Sequence, residues 1–272
     1  MNLEFTKMQG LGNDFLLLDN LDGSLELSPE TVRFLCDRHF GVGADGVITV
    51  SPSARADLGM RIFNSDGSEA EMCGNGIRCF ALYARDRGLV AGPELSVETP
   101  AGIVRPRIEG ETVAVDMGEP VFDAEKIPVN LPGEAIDYPI VFAGRAVSIT
   151  CVSMGNPHCV IFYPPGEVLP VEELGPVIET DPIFPERTNV EFIRVLGERE
   201  IEFRVWERGA GITLACGTGA CAAVAAAART GRTGREVLVH LPGGDLDIEW
   251  REDNRILMTG PAEEVFSGRI EI

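Results

Sequence analysis

At 272 residues the chain is long enough for one large domain or two modest ones, and cores tend to divide beyond about 250 residues, so two domains are expected. Hydrophobic residues make up 44% and charged residues 24%, a composition that supplies packed cores and excludes an intrinsically disordered chain. The formal charge of −20, with no cluster of lysine or arginine, argues against a protein that grips nucleic acid or an anionic membrane and leaves small molecules as partners.

Taken in chain order, the amino terminus has no basic segment followed by an apolar run, and Lys7 falls on a first strand. Short β-branched or alternating runs bounded by Gly, Pro or Asp predict further strands over 15–19, 47–50, 57–64, 95–99 and 112–117. Ser28 as N-cap and Pro29 at the first helical position predict a helix running to Arg38. A second helix is predicted over 77–87, closed by Gly88 as a left-handed cap. Prolines and acidic residues interrupt the apolar alternation over 119–139, where a domain boundary is expected. Strands follow over 147–153, 160–163, 189–195, 201–207, 237–241, 246–250 and 256–259, with a short helix over 171–179 and another over 220–229, closed by Gly231. Residues 220–228 are almost all small and apolar, too few to span a bilayer, so the location is expected to be cytoplasmic. A helix apolar on every side is buried, which places this one, and its counterpart over 77–87, in the middle of its own sheet.

The counterpart exists because the chain repeats itself. Arg61-Ile-Phe-Asn-Ser-Asp-Gly-Ser-Glu-Ala-Glu-Met-Cys73-Gly-Asn-Gly76 aligns without gaps on Arg204-Val-Trp-Glu-Arg-Gly-Ala-Gly-Ile-Thr-Leu-Ala-Cys216-Gly-Thr-Gly219 at an offset of 143. The same offset carries Gly12-Asn13 onto Gly155-Asn156 and Gly88 onto Gly231. The predicted domains are therefore 1–118, carrying Cys73, and 119–261, carrying Cys216, with 262–272 as a terminal strand able to return to the first. The expected class is α+β, two similar domains related by a pseudo-two-fold axis, each an antiparallel sheet or barrel curled around a central helix.

The seven cysteines are an odd set without Cys-x-x-Cys spacing, and His39, His158 and His240 are the only imidazoles, so neither a disulfide framework nor a metal site is expected. A Cys-Gly-x-Gly turn at a helix N-terminus offers unsatisfied backbone N–H groups and partial positive charge, which can bind a carboxylate and favour thiolate over thiol. Two such turns facing one cleft would have the geometry of a racemase. One thiolate removes the α-hydrogen, the other thiol delivers a proton to the opposite face, and the N–H groups of Gly74-Asn75 and Gly217-Thr218 hold the carboxylate. Many racemases use a pyridoxal Schiff base instead, but Lys7 lies on the first strand and Lys126 in the presumed linker, so chemistry without a cofactor is expected. Either cysteine alone would equally suit a small buried residue in a tight turn, and that reading is kept for Cys36, Cys79, Cys151, Cys159 and Cys221.

At these residues the sequence resembles the diaminopimelate epimerase family along nearly its whole length. The signatures are Lys7-Met-Gln-Gly-Leu-Gly-Asn-Asp-Phe15, Met72-Cys-Gly-Asn-Gly-Ile-Arg-Cys79, Gly155-Asn-Pro-His158 and Trp206-Glu-Arg-Gly-Ala-Gly211 with Ala215-Cys-Gly-Thr-Gly-Ala-Cys221. The resemblance implies interconversion of LL- and meso-diaminopimelate in lysine and cell-wall biosynthesis, with Cys73 and Cys216 as the acid–base pair. It implies a substrate-binding set of Asn13, Asn64, Gly74, Asn75, Asn156, Asn189, Glu207, Arg208, Gly217 and Thr218, with His158 and Glu207 supporting the proton transfers. Arg208 suits a distal carboxylate because its planar fork binds bidentately, and asparagines can hold a zwitterion without adding charge. Read alone, Asn13 and Asn156 also fit turn residues, and Glu207-Arg208 fits a solvated pair. The sequence departs from some members at Gly46, where they carry glutamine, so no side-chain contact is assigned there. Proline and hydroxyproline racemases share the duplicated plan, and a catalytically silent amino-acid-binding module is the alternative from another class. A homodimer is expected from the exposed edge that an antiparallel sheet leaves.

Overall fold

Residues 2–272, described by a computed structural model, form two units: 2–116 with Thr259–Ile272, and Met117–Met258. The first contains strands β1 (Asn2–Gly10) and β2 (Asn13–Asp19), helix α1 (Pro29–Cys36), β3 (Gly46–Ser51), β4 (Leu58–Asn64), β5 (Glu69–Ala70), helix α2 (Gly74–Asp86), β6 (Val97–Thr99), β7 (Gly102–Val104), β8 (Arg107–Glu109) and β9 (Thr112–Asp116). The second contains β10 (Tyr138–Phe142), β11 (Arg145–Ser153), β12 (Pro157–Tyr163), helix α3 (Val171–Glu179), β13 (Asn189–Gly197), β14 (Glu200–Glu207), β15 (Gly211–Ile212), helix α4 (Gly217–Arg229), β16 (Glu236–Leu241) and β17 (Gly244–Trp250). The chain then leaves through β18 (Ile256–Pro261) and ends in β19 (Glu263–Glu271), which pairs antiparallel with β1.

Strand order in the first sheet is β19-β1-β2-β3-β4-β6-β7, and the second unit runs β10-β11-β12-β13-β14-β16-β17-β18. The expected α+β class holds, with one refinement: the sheets are mixed. Parallel pairs occur at β2·β3, β4·β6, β12·β13 and β14·β16, and each is bridged by one helix, from α1 to α4 in order. A parallel pair cannot be joined by a tight turn, so each central helix is also a crossover. That connection carries the chain from the end of β4 to Cys73, and from β14 to Cys216.

Helices α2 and α4 begin three residues earlier than the apolar pattern predicts. Their first turns are Gly74-Asn75-Gly76 and Gly217-Thr218-Gly219, and glycine is a poor helix former, so propensity places the start too late. Both end on the expected left-handed glycine, Gly88 at φ 65° and Gly231 at φ 72°. Leu89 N–H returns to Ala84 O and Arg232 N–H to Ala227 O, both at 2.9 Å, which satisfies the last carbonyls. Residues Ala220–Ala227 of α4 are completely buried against β11, β12, β13, β16 and β17. In α1 the Ser28 side chain caps Thr31 N–H as expected, but the helix stops at Cys36 because Asp37 turns extended, which frees Arg38 to pair with Asp14.

Candidate active site

In the first unit Cys73 is the N-cap of α2, in extended conformation and half-buried. Its thiol lies 3.9 Å from Asn13 Oδ1, which also accepts from Asn75 Nδ2 at 3.1 Å. Asn13 sits on the β1–β2 turn, where Leu11 at φ 57° and Gly12 at φ 85° provide the left-handed conformations a two-residue hairpin requires. The orientation of its amide is set from behind: Nδ2 donates to Asp45 Oδ2 at 2.9 Å, so the oxygen faces the cysteine. Asp45 belongs to a charged cluster in which Arg38 bonds both Asp45 and Asp14, and Lys7 meets Asp14 at 2.7 Å. Burial alone would raise the Asp14 carboxyl, but Arg38 and Lys7 bring it down to about 2.

Behind the turn lies Arg78, fully buried on α2. It donates to Gly74 O at 3.2 Å and to Pro261 O at 3.1 Å, fastening the first turn of α2 to the end of β18. Gly10 makes room for it, since a Cβ there would sit 3.0 Å from the Arg78 guanidinium. Asn64 is exposed at the end of β4 and donates to Ser68 Oγ at 3.0 Å. Gly46 pairs with both Phe15 and Asn64, and a Cβ on it would lie 2.6 Å from Phe63 O. This is a physical reason for glycine at the position where the resemblance breaks.

The second unit repeats the arrangement with different supports. Cys216 is the N-cap of α4, only 5% exposed, and its sulfur lies 3.7 Å from Thr218 Oγ1. Thr218 accepts from Asn156 Nδ2 at 3.4 Å, and Asn156 Oδ1 lies 2.9 Å from His158 Nε2. Burial pushes the Cys216 thiol well above its usual range, Glu207 and Glu191 add to the effect, and the bonds from Thr218 and Gly219 N–H only partly oppose it. Desolvation here works against the thiolate that the helix terminus favours.

Asn189 joins this group to the Glu207-Arg208 turn. Its Nδ2 donates to Pro157 O and its Oδ1 accepts from Arg208 N–H, both at 2.9 Å. Glu207 accepts from Thr213 Oγ1, and the exposed Arg208 guanidinium donates to Glu186 O at 3.1 Å. The turn is held by Glu179, which accepts from Trp206 Nε1 at 2.7 Å and Gly209 N–H at 2.9 Å.

The structure thus gathers Asn13, Cys73, Gly74 and Asn75 in one unit, and Asn156, His158, Cys216, Gly217, Thr218, Asn189, Glu207 and Arg208 in the other. Sequence reasoning passed over Asp14, Arg38, Asp45, Arg78, Glu179 and Glu191. One signal was available: Glu191 is a charge inside Asn189-Val-Glu-Phe-Ile193, a run whose every residue is buried. Among the described residues no set of three His, Cys, Asp or Glu side chains gathers as metal ligands.

The profile of a family described as diaminopimelate epimerase matches residues 5–123 and 150–265. The chain is 56% identical to the diaminopimelate epimerase of Desulfitobacterium hafniense, covering 98% of this chain and 97% of the relative. It is 54% identical to that of Synechocystis over the whole of both chains. Among solved structures, the fold is shared with a phenazine biosynthesis protein of Bacillus anthracis, at a TM-score of 0.73 and 20% identity over the whole of both chains. It is also shared with a hydroxyproline epimerase of Agrobacterium vitis, at 0.68 and 16% over 99% of this chain and 91% of that one.

Proposed function

The chain belongs to the diaminopimelate epimerase family, and from that premise we propose that Cys73 and Cys216 are the acid and base of its reaction. The enzyme is an isomerase that interconverts LL- and meso-diaminopimelate, a step of lysine biosynthesis. The observation that carries the residue assignment is the duplication of one device: each unit ends a crossover in a cysteine N-cap, followed by a glycine-bearing first turn and faced by an asparagine from a hairpin or strand turn.

The chemistry follows from that device. The α C–H bond breaks as one thiolate takes the proton, and the electron pair moves into the substrate carboxylate, whose growing charge the first N–H groups of the helix stabilise. A new C–H bond forms on the opposite face with the proton of the other thiol. Burial favours the thiol form of Cys216, the form that donates. Arg208 is assigned to the distal carboxylate, and Asn13, Asn64, Asn75, Asn156, Asn189 and Glu207 to the polar groups of the substrate. No Schiff base is required of the chain: Lys7 is bound between Asp14 and Gly43 O at 2.7 Å each, and Lys126 is exposed beside Asp123. The enzyme is placed in the cytoplasm as a homodimer. The edge strand β19, which exposes Val265 and Phe266, supports the homodimer; among the described residues no helix is long and apolar enough to cross a membrane.

The test is incubation of reduced enzyme with LL-diaminopimelate in D₂O, without pyridoxal phosphate or metal, alongside Cys73→Ala and Cys216→Ala. Early meso product with one deuterium, unlabelled remaining substrate and loss of epimerisation in both variants are expected. Turnover surviving in either variant would overturn the two-base assignment, and no turnover in the wild type would remove this substrate.

A further inference from the structure

Beyond Cys216 the polar chain continues inward through His158 to a carboxyl with no assigned role. Glu191, on β13, and His158, on β12, are both fully buried, and Glu191 Oε1 lies 2.7 Å from His158 Nδ1. The other ring nitrogen faces Asn156 Oδ1 at 2.9 Å. Both ring nitrogens face oxygens: with Nδ1 held by the Glu191 carboxyl, Nε2 carries the hydrogen that Asn156 Oδ1 accepts. A neutral ring with its proton on Nδ1 would aim a lone pair at Asn156 Oδ1. The amide would then turn over, donating Nδ2 to the ring and presenting its oxygen to Thr218.

The turnover matters because Thr218 is the link to Cys216. With Nδ2 donating into Thr218 Oγ1, the threonine hydroxyl hydrogen is available to the sulfur at 3.7 Å. With the amide reversed, that hydrogen is taken by Asn156 Oδ1, and a Cys216 thiolate loses a charge-assisted hydrogen bond.

The repeat shows that this device is confined to the second half. At the offset of 143, His158 corresponds to Phe15 and Glu191 to Ile48. The coordinates agree with the alignment: a Cβ on Gly76 would meet Ile48 Cδ1 at 3.1 Å, and one on Gly219 would meet Glu191 Oε1 at 2.9 Å. In the first half Asp45 fixes the Asn13 amide the other way, with its oxygen toward Cys73.

We propose that Glu191 is a positioning residue: by holding Nδ1 of His158 it aims the Nε2 hydrogen at Asn156 Oδ1, keeps the donating end of the Asn156 amide toward Thr218, and so supplies Cys216 with a hydrogen bond for its thiolate form. The proposal rests on Cys216 being one of the acid–base groups. Burial raises the Glu191 carboxyl and His158 opposes it; the other titratable groups facing it are Glu207, Cys216 and Cys159.

The full chain, labelled with ¹⁵N, tests this through the imidazole nitrogen shifts of its histidines, with His158→Gln identifying the relevant signals. In the wild type the His158 Nε2 signal is that of a protonated nitrogen; in Glu191→Gln the hydrogen moves to Nδ1, held by the amide oxygen. Glu191→Gln also lowers kcat by about 10- to 100-fold, the scale of losing a hydrogen bond to a charged group, with KM changed far less. Thr218→Val, which leaves the buried pair intact, gives a similar kcat loss without altering the His158 shifts. A His158 Nε2 without a hydrogen in the wild type, or unchanged kcat in either variant, would overturn the proposal. The shifts require no turnover, so they separate its failure from failure of the two-base reading, which the D₂O experiment decides.

Discussion

Replacement of Glu179 isolates what holds the Glu207-Arg208 turn in place. Glu179 is 6% exposed at the end of α3 and accepts from Trp206 Nε1 and Gly209 N–H. Alanine deletes both acceptors. Leaving a buried donor unsatisfied costs about 1–3 kcal/mol. Gly209 is exposed and water can replace its partner, whereas the half-buried Trp206 is packed against Gly175 and its indole N–H bears most of the loss. The sum is about 2 kcal/mol. At a urea slope of about 2 kcal/mol per molar, the midpoint falls by about 1 M. Both tryptophans, Trp206 and Trp250, lie in the unit Met117–Met258, so their fluorescence follows that unit alone. Gln at 179 retains one acceptor oxygen and should lose about half as much. Arg208 loses its seat in either variant, so KM for diaminopimelate rises more than kcat falls, and more for alanine than for glutamine. A midpoint shift below about 0.25 M for alanine, or a larger one for glutamine, would show that the two bonds do not carry the turn.

Asp14, with its carboxyl lowered from 3.8 to about 2, contributes stability that is fully present above pH 3.8 and lost as the pH falls through about 2; that contribution is about 2 kcal/mol. Asp14→Asn should therefore flatten the acid limb of stability in that window, and urea titrations at a series of pH values would reveal an unchanged limb if the cluster were not responsible. Iodoacetamide under native conditions near neutral pH should label the half-buried Cys73 before Cys216, whose burial, with Glu207 and Glu191, keeps it as thiol; peptide mapping that finds Cys216 first would contradict this. Gly46→Ala should destabilise by about 1–3 kcal/mol, because the Phe63 carbonyl that its Cβ meets is backbone and must move the strand to yield. Wild-type thermal stability in that variant would mean that β3 and β4 can separate at no cost.

The duplication and the cysteine turns were legible because they depend on residue types with few substitutes: glycine where the backbone is left-handed or crowded, and cysteine at a helix start. Strand positions were legible from alternation, and the left-handed caps Gly88 and Gly231 from helix-end chemistry. The parallel pairs were not, because alternation gives no direction and a crossover shows only in three dimensions. The supports of the site were hidden for another reason. Asp14, Arg38 and Asp45 look like ordinary surface charges, and Glu179 looks like a solvated helix end; only their partners across the sheet reveal that they orient Asn13 and the Glu207 turn.

That division bears on how a duplicated scaffold can serve a reaction that is not symmetric at any instant. On the proposed two-base reading, one cysteine is the base while the other is the acid, and two identical surroundings would leave both in the same protonation state. The backbone devices are repeated: N-cap cysteine, glycine-rich first turn, facing asparagine. What differs is the layer behind them. Asp45, within a partly exposed network of charges, turns an acceptor toward Cys73, while the buried Glu191–His158 pair turns a donor toward Thr218 and Cys216. Gly76 and Gly219 mark the same point in the two halves, one against Ile48 and the other against Glu191. Two differences at that point, Glu191 for Ile48 and His158 for Phe15, give otherwise equivalent thiols different surroundings without altering the fold that carries them.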